Sequence, residues 1–229
     1  MIGLISDIHG NYAALSIVLR ELDKMGVEDI ICLGDVAGYY CQINECCDAL
    51  RERNIPVLQG NHDYYLTENV PCPRSNSANR CLDYQRRTIR EDNLAWLALK
   101  RPQDFWHGIS VVHGGWHDPL DEYLVPDAAY FAPLDGHVFA SGHTHAQMKW
   151  RGPEKTYCNP GSVGQPRDGN PDSAYATWDG ERFSLHRVAY DISNVRQAMA
   201  KAGFTDYFSE NLEIGAMIGG KILPVQASF

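Results

Sequence analysis

Five short segments of this chain carry side chains able to hold metal ions: Asp7-Ile8-His9-Gly10, Gly34-Asp35, Gly60-Asn61-His62-Asp63, His113-Gly114 and Gly142-His143-Thr144-His145. Each sets a glycine directly beside a polar residue, which lets the backbone turn sharply as an element ends. The donors are carboxylate, amide oxygen and imidazole nitrogen, with no thiolate. That set suits Mn, Fe, Zn, Co or Ni rather than a Cys-bound structural zinc. Asp7 and His9 are i, i+2, as are His143 and His145, so in extended chain each pair points to one side. Asp7, His9, Asp35, Asn61, His113, His143 and His145 are too many donors for one tetrahedral ion and enough for two ions if one carboxylate bridges. Two ions roughly 3.5–4 Å apart clamp the attacking and leaving oxygens of an in-line displacement at phosphorus. Two divalent ions against only Asp7 and Asp35 also leave a positive pocket, which an anionic phosphate enters readily.

Such donors have to be brought together by the ends of several elements. Residues 2–6 are a short apolar run of buried-strand type ending at Asp7. A helix is predicted from Asn11 to Met25, with Leu15, Val18, Leu19, Leu22 and Met25 on one face, Asn11 as its cap and Gly26 as its end. Strands are predicted at 29–33 and 55–58 with a helix at 43–53 between them, an alternation that implies parallel pairing and an α/β layered sheet. Turns at the carboxyl edge of such a sheet line the ligand crevice. The stretch 64–100, entered through polar residues at 71–77, reads as one or two helices. Short strands at 103–106, 109–113, 137–141, 147–151, 155–158, 173–178 and 182–188 predict a second, mixed sheet. A helix is expected from Asp191, followed by a weakly patterned end.

The chain has 229 residues, 44% of them hydrophobic and 21% charged, enough for one domain with a single core. The expected organisation is one domain over 1–229, with a core at 1–189 and a helical tail at 190–229. Twenty basic against 29 acidic side chains give a formal charge of −9, which disfavours a broad phosphate-backbone interface. No apolar run has the length of a membrane span, and Met1 opens directly onto Ile2-Gly3-Leu4-Ile5 without a charged leader. Seven cysteines, an odd number without a CxxC pair, predict reduced thiols and a cytoplasmic protein.

Other signals are weaker. Arg167, in a Gly- and Pro-rich loop beside Asp168, is a candidate for bidentate phosphate contact. Tyr39, Tyr40, Tyr64, Tyr65 and Trp116 follow the donor segments and are candidates to wall the pocket or stack a nucleobase. Gly215–Lys221 imitates a phosphate-binding loop, but Ile222 replaces the Ser/Thr that such a loop requires. His107, His117, His137 and His186 match no donor segment.

The five segments, in order, resemble the D-x-H, G-D, G-N-H-[DE], H and G-H-x-H pattern of the calcineurin-like metallophosphoesterase superfamily. Ser6–Asn11, Gly34–Tyr39 and Asn159–Gly169 resemble its small, single-domain prokaryotic branch. The resemblance implies a four-layer α/β sandwich, two packed mixed sheets flanked by helices, around a dinuclear site. It puts Asp7, His9 and His145 on the first metal and Asn61, His113 and His143 on the second. Asp35 bridges, and His62 serves as proton donor or phosphate contact, the neighbouring Asp63 being expected to keep it charged. Asn61, His62 and Arg167 are the candidate substrate-binding residues. The expected activity is hydrolysis of phosphodiesters, nucleotide types included, or phosphomonoesters, by in-line attack of a metal-bridging hydroxide on a small phosphorylated substrate. The rivals are a nuclease on DNA or RNA and a non-catalytic scaffold on the same fold, as in the retromer subunit that resembles this family. The acidic balance speaks against the first, and the intact donor set against the second.

Overall fold

The computed structural model describes residues 1–223. In chain order its first half comprises β1 (Ile2–Ile5), α1 (Tyr12–Lys24), β2 (Asp29–Cys32), α2 (Ile43–Glu52), α3 (Asn61–Thr67), α4 (Asn76–Thr88) and α5 (Glu91–Ala98). The second half comprises β3 (Gln103–Trp106), β4 (Ile109–Val112), α6 (Ala128–Phe131), β5 (Val138–Ser141), β6 (Met148–Arg151), β7 (Thr156–Asn159), β8 (Ser173–Trp178), β9 (Phe183–Val188) and α7 (Ile192–Lys201). One sheet runs β2-β1-β8-β9 and the other β3-β4-β5-β7-β6. Both are mixed: β1 pairs with β2 in parallel and with β8 antiparallel, while β4-β5-β7 are parallel between antiparallel edge strands.

The period of two along each strand separates the layers. Leu4, Ile31, Val111, Ala140, Cys158 and Ala176 point between the sheets and fill the space there. Their neighbours Ile5, Ile30 and Cys32 point outward onto Leu15, Val18 and Leu22 of α1 and onto α2, α4 and α5. On the far side, Phe139 and Tyr157 join Phe131 of α6 and Trp116. The result is helices, sheet, sheet and a thinner outer layer. A one-residue slip in β1 would drive Leu4 into the helices and Ile5 between the sheets, so the register at the site is set by the core.

Several expectations need correction. The segment 55–58 forms a single bridge, Cys32 to Val57, rather than a strand. Pro56 has no N–H to donate, although its carbonyl accepts from Cys32 at 2.9 Å. The stretch 64–100 holds three helices, and the first starts at Asn61, because Asp63 accepts the Gly60 N–H at 2.9 Å and nucleates the turn there. The break between α4 and α5 is made from a distance: Asn44 of α2 donates to Thr88 O at 2.8 Å and accepts from Arg90 N at 2.9 Å. The helix expected from Asp191 is α7, capped by Asp191, and the weakly patterned end after it includes two 3-10 turns, Asp206–Phe208 and Glu210–Ile214. Val195, Met199, Phe208 and Leu212 of this segment pack into the helical side of the core. Residues 224–229 of that tail lie outside the described residues.

Asn11 joins the two halves of the fold. Its Oδ1 caps α1 by accepting from Ala14 N at 3.1 Å, and its Nδ2 donates to Gly164 O at 2.9 Å. Asn11→Ala should cost about 1–3 kcal/mol in urea denaturation, the sum expected for a lost cap and a lost buried hydrogen bond. Asn11→Asp keeps the cap without the donor and should recover only part of that loss. Full recovery would mean that the link to Gly164 contributes nothing.

Candidate metal centre

Beyond the ends of β1 and β2 the two chains continue to hydrogen-bond rung by rung. Asp7 N donates to Gly34 O at 3.0 Å, His9 N to Asp35 O at 2.9 Å and Gly10 N to Val36 O at 2.8 Å. The 159–164 loop is tied to the same place by Val163 N to Ser6 O and Gly164 N to Asp7 O, at 2.9 and 3.0 Å. Gly142 N donates to His113 O at 2.9 Å, which brings in the ends of β4 and β5. Asp7, His9, Asp35, His143 and His145 all have φ between 53 and 64°. The i, i+2 pairs therefore share a side through left-handed turns, not through extended chain as the spacing suggested. Asp and His adopt that region more readily than most residues, at a cost of about 1–3 kcal/mol each. The flanking glycines are not all turn residues either. Gly60 is extended, and a Cβ on it would overlap the Asp35 carboxylate, so what it permits is close approach. Asn61 and His62 sit on the first turn of α3 rather than at a strand end.

Each carboxylate is anchored by one oxygen and offers the other. Asp7 Oδ2 accepts from His143 N at 3.1 Å, leaving buried Oδ1 without a hydrogen-bond partner. Asp35 Oδ1 accepts from His62 N at 2.8 Å, while Oδ2 lies 3.6 Å from both His9 Nε2 and His113 Nε2. The imidazoles are oriented in the same way. Nδ1 of His9, His113 and His145 lies 2.8, 2.8 and 2.7 Å from the carbonyls of Ala37, Leu33 and Gln165. A carbonyl only accepts, so in the neutral rings those nitrogens hold the protons and every Nε2 presents a lone pair. His9 Nε2 and His145 Nε2 are then two acceptors 3.0 Å apart, and His113 Nε2 faces the acceptor Asn61 Oδ1 at 3.1 Å. His143 Nε2 has no partner at all.

Burial, the largest cause, works against charge on every one of these groups. It raises Asp7 to about 7 and Asp35 well above the usual carboxylate range. It lowers His113 to about 4 and holds His9, His143 and His145 well below the ordinary imidazole value. Buried oxygen and nitrogen donors that converge in this way fit a cation, whose charge favours the ionised carboxylates and neutral imidazoles and offsets what burial opposes. The donor atoms form two groups, each with its members within 4.8 Å of one another: Asp7, His9, Asp35 and His145 in one, and Asp35, His113 and His143 in the other. Asp35 belongs to both, and Asn61 Oδ1 adjoins the second.

The pocket over these donors, about 60 Å³, is lined by Asp35, Asn61, His62, His143, His145 and Arg167 together with Tyr39, Tyr65, Arg74, Tyr123 and Met217. All of the residues read from the sequence as ligands or substrate contacts thus meet at one place. The His62 ring packs against both Tyr39 and His9, at ring distances of 4.9 and 5.0 Å, and those two rings are 4.8 Å from one another. Asp63 does not keep it charged, because both Asp63 oxygens accept backbone N–H groups, from Ala37 and Gly60. Burial first, and then the Arg167 guanidinium, push His62 down to about 3. Of the candidate aromatics, Tyr39 and Tyr65 wall the pocket; Tyr40 lies buried beneath, Tyr64 faces solvent and Trp116 packs in the outer layer. Arg74 and Tyr123 had no sequence signal, since each depends on a loop meeting the site from elsewhere, and Gln165 lay within the Asn159–Gly169 motif without a role of its own. All seven cysteines are free, and none belongs to the donor groups.

A model of the calcineurin-like phosphoesterase superfamily domain matches residues 1–182, most of the chain. The chain belongs to that superfamily. An uncharacterized protein of Methanocaldococcus jannaschii is 30% identical over 238 residues, covering 94% of this chain and 98% of its own. The crystal structure of a metallophosphoesterase from Sphaerobacter thermophilus superposes with a TM-score of 0.83 at 28% identity, covering 93% of this chain and 98% of its own. A hypothetical protein from Pyrococcus horikoshii gives the same TM-score at 18% identity over 94% and 99% of the two chains, a likeness of fold alone. No helix among the described residues is long and apolar enough to cross a membrane.

A divalent ion held by these donors should stabilise the fold. At about 100 times its Kd, Mn should raise the melting temperature by about 5–10 °C, and EDTA should reverse the shift. The double variant His9→Ala/His145→Ala, which leaves the second donor group intact, should show a smaller shift. Equal melting temperatures for the wild type in Mn and in EDTA would contradict the assignment.

Proposed function

We propose that this chain is a dinuclear metal-dependent phosphoesterase acting on small phosphodiesters first and phosphomonoesters second. The observation that carries the reading is that Asp35 belongs to both donor groups, one oxygen fixed by the His62 N–H and the other facing His9 and His113. In this reading Asp7, His9 and His145 would hold one ion, Asn61, His113 and His143 would hold the other, and Asp35 would serve both. The ions, of Mn, Fe, Zn, Ni or Co type, supply Lewis acidity and an activated water for in-line displacement at phosphorus.

The chain's own residues would bind and orient the ester. Arg167, 3% exposed and a pocket wall, would hold a non-bridging phosphoryl oxygen by charge-assisted hydrogen bonds. A bound phosphate ester sets an anion beside His62, which favours the protonated ring and opposes the desolvation that otherwise keeps it neutral. His62 would then donate to the leaving oxygen, while Tyr39 and Tyr65 hold its ring in place. Tyr39, Tyr65 and Tyr123 on the pocket wall support diesters ahead of monoesters. Aromatic walls offer contact to an esterifying group that a bare phosphate does not use.

Hydrolysis of two esters by Mn-loaded protein tests both the reading and the role of His62. Asp35→Asn should abolish turnover of both and lower metal content for both ions together. His62→Ala should keep wild-type metal content and lose about 10²–10⁴-fold on an alkyl or nucleoside diester, the span for proton transfer. It should lose much less on bis(p-nitrophenyl) phosphate, whose leaving group departs as a stable anion. Equal losses on both would confine His62 to contacting phosphoryl oxygens, and an active Asp35→Asn would remove the dinuclear reading.

A further inference from the structure

Arg167 is a buried cation whose hydrogen-bond partner is uncharged. Its Nε and Nη2 donate to Gln165 Oε1 at 3.0 and 2.7 Å, and its guanidinium lies 5.3 Å from the Tyr39 ring centre. Among the described residues no carboxylate forms an ion pair with it, and Asp168, next in sequence, is turned to Arg187. Gln165 is itself fully buried and fixed from three sides. Its N–H donates to Ser162 Oγ at 2.7 Å, and its carbonyl holds Nδ1 of the ligand His145 at 2.7 Å. Its Nε2 donates at 3.1 Å to the Tyr40 hydroxyl, which also accepts from Asn211 of the C-terminal segment at 3.2 Å. Arginine carries only donors, so the amide oxygen must face Arg167, which leaves the amide nitrogen to donate to Tyr40.

We propose that Gln165 is a positioning residue for phosphate: it holds the Arg167 guanidinium into the pocket through a neutral acceptor that leaves its charge uncancelled. A buried cation paired with a carboxylate would be satisfied before substrate arrives. One held by an amide still lacks a counter-charge, and an anionic phosphoryl group supplies it. The same residue fixes His145, so the metal side and the phosphate side of the pocket are set by one side chain and its own peptide. Through Tyr40 and Asn211 the C-terminal segment becomes the outer support of that residue.

This inference rests on Arg167 contacting phosphate, and the test separates the two claims. Inorganic phosphate is titrated calorimetrically into the Mn-loaded wild type, Gln165→Glu, Gln165→Met, Arg167→Ala and the double variant Gln165→Glu/Arg167→Ala. Glu has the shape of Gln, and Tyr40 can donate to it, so the fold and His145 are retained; metal content and melting temperature check this. Arg167→Ala should weaken phosphate on the order of 10–100-fold, the range for a charged hydrogen bond. Gln165→Glu should weaken it about tenfold by cancelling the charge, and should add less than about twofold in the Arg167→Ala background. Gln165→Met, which is neutral but offers no acceptor for the guanidinium, should also bind more weakly than wild type. Wild-type binding by Gln165→Glu, with Arg167→Ala impaired, overturns the role of Gln165 and leaves that of Arg167. Additive losses in the double variant overturn it as well. Wild-type binding by Arg167→Ala overturns the phosphate contact itself.

Discussion

The fold is organised around an arrangement of lone pairs that nothing in the polypeptide satisfies. Two imidazole nitrogens 3.0 Å apart, each with its proton committed to a carbonyl on the other side of the ring, repel one another. Burial removes the water that would otherwise separate them, and it also opposes the protonation that would let them share a hydrogen. The same holds where His113 meets Asn61 and where Asp7 Oδ1 stands without a partner. The free energy of keeping such a cluster is recovered when a cation enters. Binding of a cation there would therefore stabilise the fold of this region.

What holds the donors in place is backbone. The ladder continues past β1 and β2 into the loops, and it fixes Asp7, His9 and Asp35 in left-handed conformations that local preference alone would not maintain. Core alternation prevents the strands from slipping, so packing between the sheets at Leu4, Ile31 and Ala140 controls where the ligands stand. Only then does side-chain anchoring matter: one oxygen of each aspartate and one nitrogen of three histidines are used up on the scaffold, which leaves a single direction for the remaining atom.

Much of this was legible in the chain. Aspartate, histidine and asparagine beside glycine at element ends announced the donor set, and alternating apolar residues announced two sheets with helices. The parts that stayed hidden depend on distant partners. Nothing near residues 88–90 reveals that Asn44 interrupts a helix there, and nothing near 63 reveals that its carboxylate turns to Ala37 instead of His62. The left-handed turns at His143 and His145 exist because the loops around them are pinned, so spacing suggested the right side of the chain for the wrong conformational reason. Gln165 had no signal of its own, because a neutral side chain becomes informative only once the cation it holds is seen.

The central claim is that Asp35 stands between two ions. Crystals grown with Mn, with diffraction measured on either side of the manganese absorption edge, address it without reference to catalysis. The account predicts two anomalous peaks with Asp35 Oδ2 between them, one bounded by Asp7, His9 and His145 and the other by Asn61, His113 and His143. A single peak, or two peaks of which only one touches Asp35, would contradict it.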